Sequence, residues 1–199
     1  MRPPKISNEK ILDMARQCLV EQGGSVSTQF IADQLGISQA TLFKRFGSKI
    51  NLLQKAVSLP GKANSVLKYL QREPTDEPIR DQLESVCLRF STLFDEALPL
   101  WSALHTSGLC FPENLPDNSP PVLARKYFTA WIGKLQQQGR IRAEADAEAV
   151  TVALIGAVQH HSVRTHLMKD KTFTQSKEEY VASIIDVFWK GLAPEEDKR

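Results

Sequence analysis

Gln39, Ala40, Thr41 and Lys44 stand close together and have the types and spacing to meet a nucleic-acid surface. At about 100° per residue, Leu42 and Phe46 fall on one face of a helix over residues 39–46 and point inward. Ala40 and Lys44 fall opposite and point outward. Thr41 and Phe43 lie on the flanks, and Gln39 leads from the N-terminal end. Glutamine can pair with an adenine edge. A small alanine allows close approach and can meet a thymine methyl, and threonine and lysine can bond phosphate. Ser48 and Lys49 follow at the start of the next helix, where unpaired N–H groups and the helix dipole favour an anion such as phosphate.

Other chemistry is weakly represented. His160, His161 and His166 suggest a metal, but His161 and His166 are five apart rather than four, so they do not share a helical face. No paired Cys or carboxylate has ligand spacing, so neither a metal nor a cofactor is expected. There is no Gly-x-Ser-x-Gly elbow, no phosphate-binding glycine loop, no His-Glu-x-x-His helix and no dinucleotide fingerprint, and the expectation is a protein that is not an enzyme. Cys18, Cys87 and Cys110 are odd in number and widely spaced, with no signal peptide ahead of them. Cytoplasmic localisation is the expectation. No apolar run approaches the length of a membrane span.

Helical periodicity must position these groups, and it runs through nearly the whole chain. Ile11, Leu12, Ala15, Cys18 and Leu19 form one stripe, opened by Ser7 and ended by Gly23-Gly24. Phe30, Ile31 and Leu35 sit in a short second helix opened by Ser27 or Thr28 and stopped at Gly36. Leu42, Phe43 and Phe46 sit in a third, opened by Ser38 and stopped at Gly47. Ser48 caps a fourth, with Leu52, Leu53 and Val57, which Pro60-Gly61 ends. Further helices are predicted at about 62–72, 78–97, 99–107, 121–138, 147–168 and 177–191. Phe111 to Pro121 holds four prolines and is predicted as a loop. Nothing alternates with period two, so the fold class is all-α.

Gly36-Ile37-Ser38 separates the second and third helices. Ala32 is small where they cross, Gly36 permits the turn, Ile37 can fill the space between them, and Ser38 caps the second member. This is a helix-turn-helix pattern, whose second helix enters the major groove. The stretch Ile31-Ala32-Asp33-Gln34-Leu35-Gly36-Ile37-Ser38-Gln39-Ala40-Thr41-Leu42-Phe43-Lys44-Arg45-Phe46-Gly47-Ser48-Lys49 closely resembles the DNA-binding signature of the TetR family of bacterial transcription regulators. The resemblance implies that Thr28 contacts phosphate, that Gln29 can reach a base, and that Gln39, Ala40 and Thr41 form the reading end. It implies further contacts from Ser38, Phe43, Lys44 and Arg45, and a phosphate contact from Lys49. Phe43 departs from the family's usual tyrosine and loses a hydroxyl bond to phosphate. Ile50-Asn51 replaces the acidic residues that often follow the lysine.

The resemblance also implies an organisation. Residues 1–48 would form a three-helix DNA-binding domain, and residues 49–199 a larger helical ligand-binding and dimerisation domain entered through a connecting helix at 49–58. An effector pocket is expected near Phe90, Phe94, Trp101, His105, Cys110, Phe111, Tyr127, Phe128 and Trp131, since ligand sites are mostly apolar with a few polar groups. For any one of these aromatics, a place in the core is the stronger reading. A homodimer is expected through Ala153, Gly156, Ala157, His160, Ile184 and Phe188. The last helix is apolar on nearly all sides, and Ser176 with Glu179 has capping-box spacing at its start.

Charge agrees with this division. The net charge is only +2, which excludes a bulk polycation. Residues 1–57 nevertheless hold eight Lys/Arg against four Asp/Glu, and from Gln34 to Arg72 there are seven basic residues and no acidic one. The function expected is a ligand-responsive DNA-binding regulator, a repressor of a palindromic operator on double-stranded DNA, released by an effector of unknown identity. The alternative is a helical small-molecule-binding module without operator binding, and loss of the tyrosine at Phe43 is its one hint.

Overall fold

A computed structural model of the chain describes residues 6–58, 60–106, 108 and 117–192. Among these residues every regular element is helical. The helices are α1 (Asn8–Gln22), α2 (Thr28–Gln34), α3 (Gln39–Phe46), α4 (Lys49–Val57), α5 (Pro60–Leu70), α6 (Ile79–Thr106), α7 (Pro120–Gln137), α8 (Ala147–Ser162) and α9 (Lys177–Leu192). The chain divides into two compact units, Met1–Leu59 with Glu96–Asn114, and Pro60–Asp95 with Leu115–Arg199.

In the first unit the apolar stripes meet as their spacing requires. Ile11, Ala15, Cys18 and Leu19 of α1 are buried, as are Ile31 and Ala32 of α2, Leu42 and Phe46 of α3, and Leu52, Leu53, Ala56 and Val57 of α4. α1 packs on α2 and α4, and α3 packs on both α2 and α4. Each fully buried Leu or Ile contributes roughly 1.5–3 kcal/mol of transfer free energy, so this small unit depends on about a dozen side chains. Its helix starts are capped in series. Ser7, Ser27, Ser38 and Ser48 accept from the backbone N–H of Lys10, Phe30, Thr41 and Asn51 respectively. Arg16 ties α1 to the end of α4 by donating to the Ala56 carbonyl at 2.9 Å.

In the second unit α5 packs on α7, α7 on α8, and α8 on α9. Phe90, Phe94, Phe128 and Trp131 are buried, as are Leu83, Val86, Ile132, Leu135, Leu154 and Ile185. The proposed capping box forms: the Glu179 carboxylate accepts from the Ser176 N–H at 2.8 Å, and Ser176 Oγ accepts from the Glu179 N–H at 3.1 Å. Hydrogen bonds to the Glu179 carboxyl from the Ser176 backbone N–H and hydroxyl hold it below its usual pKa.

Two sequence expectations are corrected here. The segments 78–97 and 99–107 are one helix, α6, which runs through Pro99. Proline supplies no N–H and disfavours a helix interior. Buried Ala97, Leu98, Leu100 and Leu104 on either side anchor the two halves, and their packing overrides the local penalty. The helix expected to reach residue 168 ends at Ser162 and passes into a turn of π-helix, Val163–Met168, closed by Lys169 with φ +50°. Cys110 and most of the proline loop, Phe111 included, lie outside the described residues.

Candidate nucleic-acid interface

The turn between α2 and α3 follows from one glycine. Gly36 has φ +64°, in the left-handed region that disfavours side chains. Its N–H donates to the Asp33 carbonyl at 3.1 Å and the Ile37 N–H to the Ala32 carbonyl at 3.0 Å, which closes α2 in a Schellman motif. Ala32 is fully buried, so the helices can approach closely at that point. α3 then starts at Ser38, whose hydroxyl accepts from the Thr41 N–H at 3.3 Å and lies 2.9 Å from the Thr41 hydroxyl.

With Leu42 and Phe46 buried, the opposite face of α3 is left outward. Ala40 and Lys44 are exposed, and Phe43 is 42 % exposed. Gln39 is half-buried, and its Nε2 donates to Thr28 Oγ1 at 2.7 Å. Thr28 is itself only 6 % exposed, so its hydroxyl braces Gln39 across the two helices. Gln29 is exposed and donates to Asp33 Oδ1 at 2.7 Å. Sequence reasoning gave Asp33 no part, although the four-residue spacing of Gln29 and Asp33 was the available signal. Lys49 opens α4 directly after its cap, Ser48.

Arg45, one of the expected DNA contacts, also has a partner within the protein. It is half-buried and donates to the Ile6 carbonyl, 39 residues away in sequence, so it braces the segment before α1. Lys55 lies 5.9 Å over the Phe46 ring, stacked on the inner face of α3. Neither contact could be read locally.

The expected pocket residues are not gathered into one described cavity. Phe90 stacks on Phe94 and on Phe128, with centroids 6.2 Å and 5.8 Å apart, and Phe128 meets Trp131 at 6.3 Å. All four are buried and fill the core of the second unit. Tyr127 is half-buried; Trp101, half-buried, and His105, exposed, belong to the part of α6 assigned to the first unit. Among the candidates for dimer contact, Ala153, Gly156 and His160 on α8 are exposed, and Ala157, Ile184 and Phe188 are half-buried. Among the described residues, no group of three or more His, Cys, Asp or Glu could hold a metal ion. His161 is instead buried against Phe173 and Tyr180, at 5.0 Å and 5.1 Å, and burial lowers its pKa. Among the described residues no helix is long and apolar enough to cross a membrane.

This arrangement defines an all-helical protein with an N-terminal helix-turn-helix. Residues 11–56 match the family model described as bacterial regulatory proteins, tetR family, so the helix-turn-helix segment is similar to that family. No curated protein matches it in sequence. Solved structures share the fold over nearly its full length. A TetR-family transcriptional regulator from Thermus thermophilus, PfmR, is 24 % identical with a TM-score of 0.67, covering 93 % of this chain and 100 % of its own. A TetR transcriptional regulator from Streptomyces coelicolor is 20 % identical with a TM-score of 0.58, covering 95 % and 99 %. SmeT, the repressor of a Stenotrophomonas maltophilia multidrug efflux pump, is 15 % identical with a TM-score of 0.67, covering 96 % and 92 %.

Proposed function

We propose that the protein is a homodimeric, ligand-responsive transcription regulator that binds a near-palindromic operator on double-stranded DNA and represses until a small molecule releases it. The observation that carries this reading is the outward face of α3. It combines a braced amide at Gln39, a small side chain at Ala40, an exposed ring at Phe43 and an exposed cation at Lys44, next to the phosphate-facing start of α4 at Lys49. Thr41 and Ser38 add hydroxyls at the reading end. The Phe43 ring lacks a phosphate-bonding hydroxyl but can pack on sugar or a thymine methyl. The stretch from Gln34 to Arg72 has no acidic residue, so α3 and the start of α4 themselves carry no charge that repels a polyanion.

A single helix-turn-helix gives little contact area, so two copies reading half-sites about 34–36 Å apart are the usual solution. The face that suits a second copy carries Val152, 51 % exposed, with Ala153 and Gly156 on α8, and Val187, 68 % exposed, with Ile184 and Phe188 on α9. Small residues there permit close helix packing between subunits. An effector would act by binding better to a conformation in which the reading helices are wrongly spaced, and DNA would weaken effector binding by the same factor.

The test is fluorescence anisotropy with the DNA upstream of the protein's own coding region, titrated at several salt concentrations. Saturable, salt-dependent binding that an unrelated duplex does not compete supports the reading. Binding no tighter than to the unrelated duplex overturns it in favour of a small-molecule-binding module.

A further inference from the structure

Four arginines among the described residues are matched to carboxylates: Arg16 to Asp13, Arg80 to Asp186, Arg125 to Glu148 and Arg164 to Asp170. Arg89 on α6 is ordered in a different way. Its guanidinium carbon sits 4.7 Å from the centroid of the Tyr69 ring, and its Nη1 donates to Ser65 Oγ at 3.1 Å. Among the described residues no carboxylate pairs with it. Asp95, further along α6, is held by Lys177 at 2.9 Å and by Ser162 at 2.6 Å. Arg89 is therefore a fixed cation without a counter-charge.

It lines an open groove of about 340 Å³ together with Ser65 of α5 and Ser85, Leu88 and Thr92 of α6. That volume falls at the small end of ligand sites, which run from roughly 300 to 1,000 Å³. Three of the five lining residues carry hydroxyls, one is a guanidinium and one is apolar. A planar guanidinium matches two oxygens of a carboxylate or phosphate at once, and hydroxyls can donate to the same group. α5 has no acidic residue that would oppose an anion.

We propose that this groove is the effector site and that it takes a small molecule with an oxyanion headgroup, carboxylate or phosphate, clamped by Arg89 and the hydroxyls of Ser65, Ser85 and Thr92. This rests on the ligand-responsive reading above, and it replaces the stacked aromatic residues as the place where an effector docks. Ring stacking and the Ser65 bond hold the guanidinium in place before the ligand arrives, so less freedom is lost on binding.

The test needs no DNA, so its failure is distinct from failure of operator binding. The full-length protein labelled with nitrogen-15 is titrated at constant ionic strength with inorganic phosphate, with butyrate and with neutral butyramide, following the Arg89 Nε–H and backbone amide resonances. The expected result is saturable shifts at Arg89, Ser65, Ser85 and Thr92 with at least one anion, and none with butyramide. Whichever anion binds tighter identifies the headgroup. Arg89→Met should weaken binding at least tenfold, and Ser65→Ala, which leaves the charge in place, should weaken it a few-fold. If Arg89→Met does not fold, Ser65→Ala decides. Shifts that never saturate, that butyramide reproduces, or that persist unchanged in the variants overturn the assignment.

Discussion

Gln39 is bonded through its amide nitrogen to the Thr28 hydroxyl at 2.7 Å, so the first residue of α3 is fixed by the first turn of α2. A free glutamine loses up to about 1.5–2 kcal/mol of rotamer freedom when ordered. Here much of that ordering exists before DNA is met. The amide oxygen stays available to accept from a base amino group, and the second N–H can still donate. Thr28→Val keeps the shape of the buried side chain but removes the acceptor. It should weaken specific binding about fivefold to tenfold, in keeping with roughly 1 kcal/mol for one hydrogen bond, and relax preference at one symmetric base position. Gln39→Ala should abolish that preference, a loss of about 1–3 kcal/mol in discrimination. Anisotropy with single-base operator variants measures both. Unchanged discrimination in Gln39→Ala would remove the residue from the reading set.

Lys49 stands where phosphate rather than base is expected. Lys49→Ala should weaken operator and unrelated DNA by similar factors and flatten the slope of log K against log salt by about 1. A salt titration of the variant checks this. A selective loss for the operator alone would contradict the phosphate role.

Gly36 has open space around an added Cβ but φ +64°. Gly36→Ala should therefore lower stability by about 1–2 kcal/mol through backbone strain alone, without a steric clash. Thermal unfolding should show the drop, and operator affinity measured well below the transition should be nearly retained.

Val187 is 68 % exposed on α9. If the face with Gly156 and Phe188 joins two copies, Val187→Glu should place two charges in a desolvated contact and yield monomers in sedimentation velocity. Operator affinity should fall more than a hundredfold, because half-sites would be bound singly. A dimer of unchanged affinity would move the interface elsewhere.

Asp95 links α6 to α8, the π turn and α9 through Ser162, His166 at 3.2 Å and Lys177. Burial opposes its ionisation, but the Ser162 and Lys177 hydrogen bonds and the charges of Lys177 and His166 outweigh it and hold its pKa below the ordinary 3.8. The folded state thus favours the ionised form. The stabilisation is present above about pH 3.8 and is lost as pH falls through the lower folded value. At the alkaline end, burial pushes the Cys87 thiol up to about 12, so its contribution is full below the ordinary 9.0 and is lost as pH rises toward 12. Denaturant unfolding across pH should show wild type losing stability in acid more steeply than Asp95→Asn. Cys87→Ala should flatten the alkaline limb. Parallel curves would show that neither group is coupled to folding.

The local features of the first unit were legible because they act over three or four residues. The four serine caps, the glycine stop at Gly36 and the buried pair Leu42 and Phe46 lie within single helical turns. The capping box of Ser176 and Glu179 was readable for the same reason. Pro99 misled because a local penalty was weighed without knowing that Leu98 and Leu100 would be buried beside it. The aromatic residues are a different case. Rings at helical spacing favour a core over a pocket, and the stacking of Phe90 on Phe128 from another helix could not be read locally.

By itself the sequence determined the all-helical class, the helix-turn-helix and the identity of its outward face. Periodicity, caps and a left-handed glycine are encoded in neighbours. The tertiary structure alone decided which side chains meet across helices. It turned Arg45 to Ile6, braced Gln39 on Thr28, and set Arg89 over Tyr69 beside Ser65 with no carboxylate. Those pairs are 39, 11, 20 and 24 residues apart, and no local pattern specifies a contact whose geometry depends on how whole helices pack.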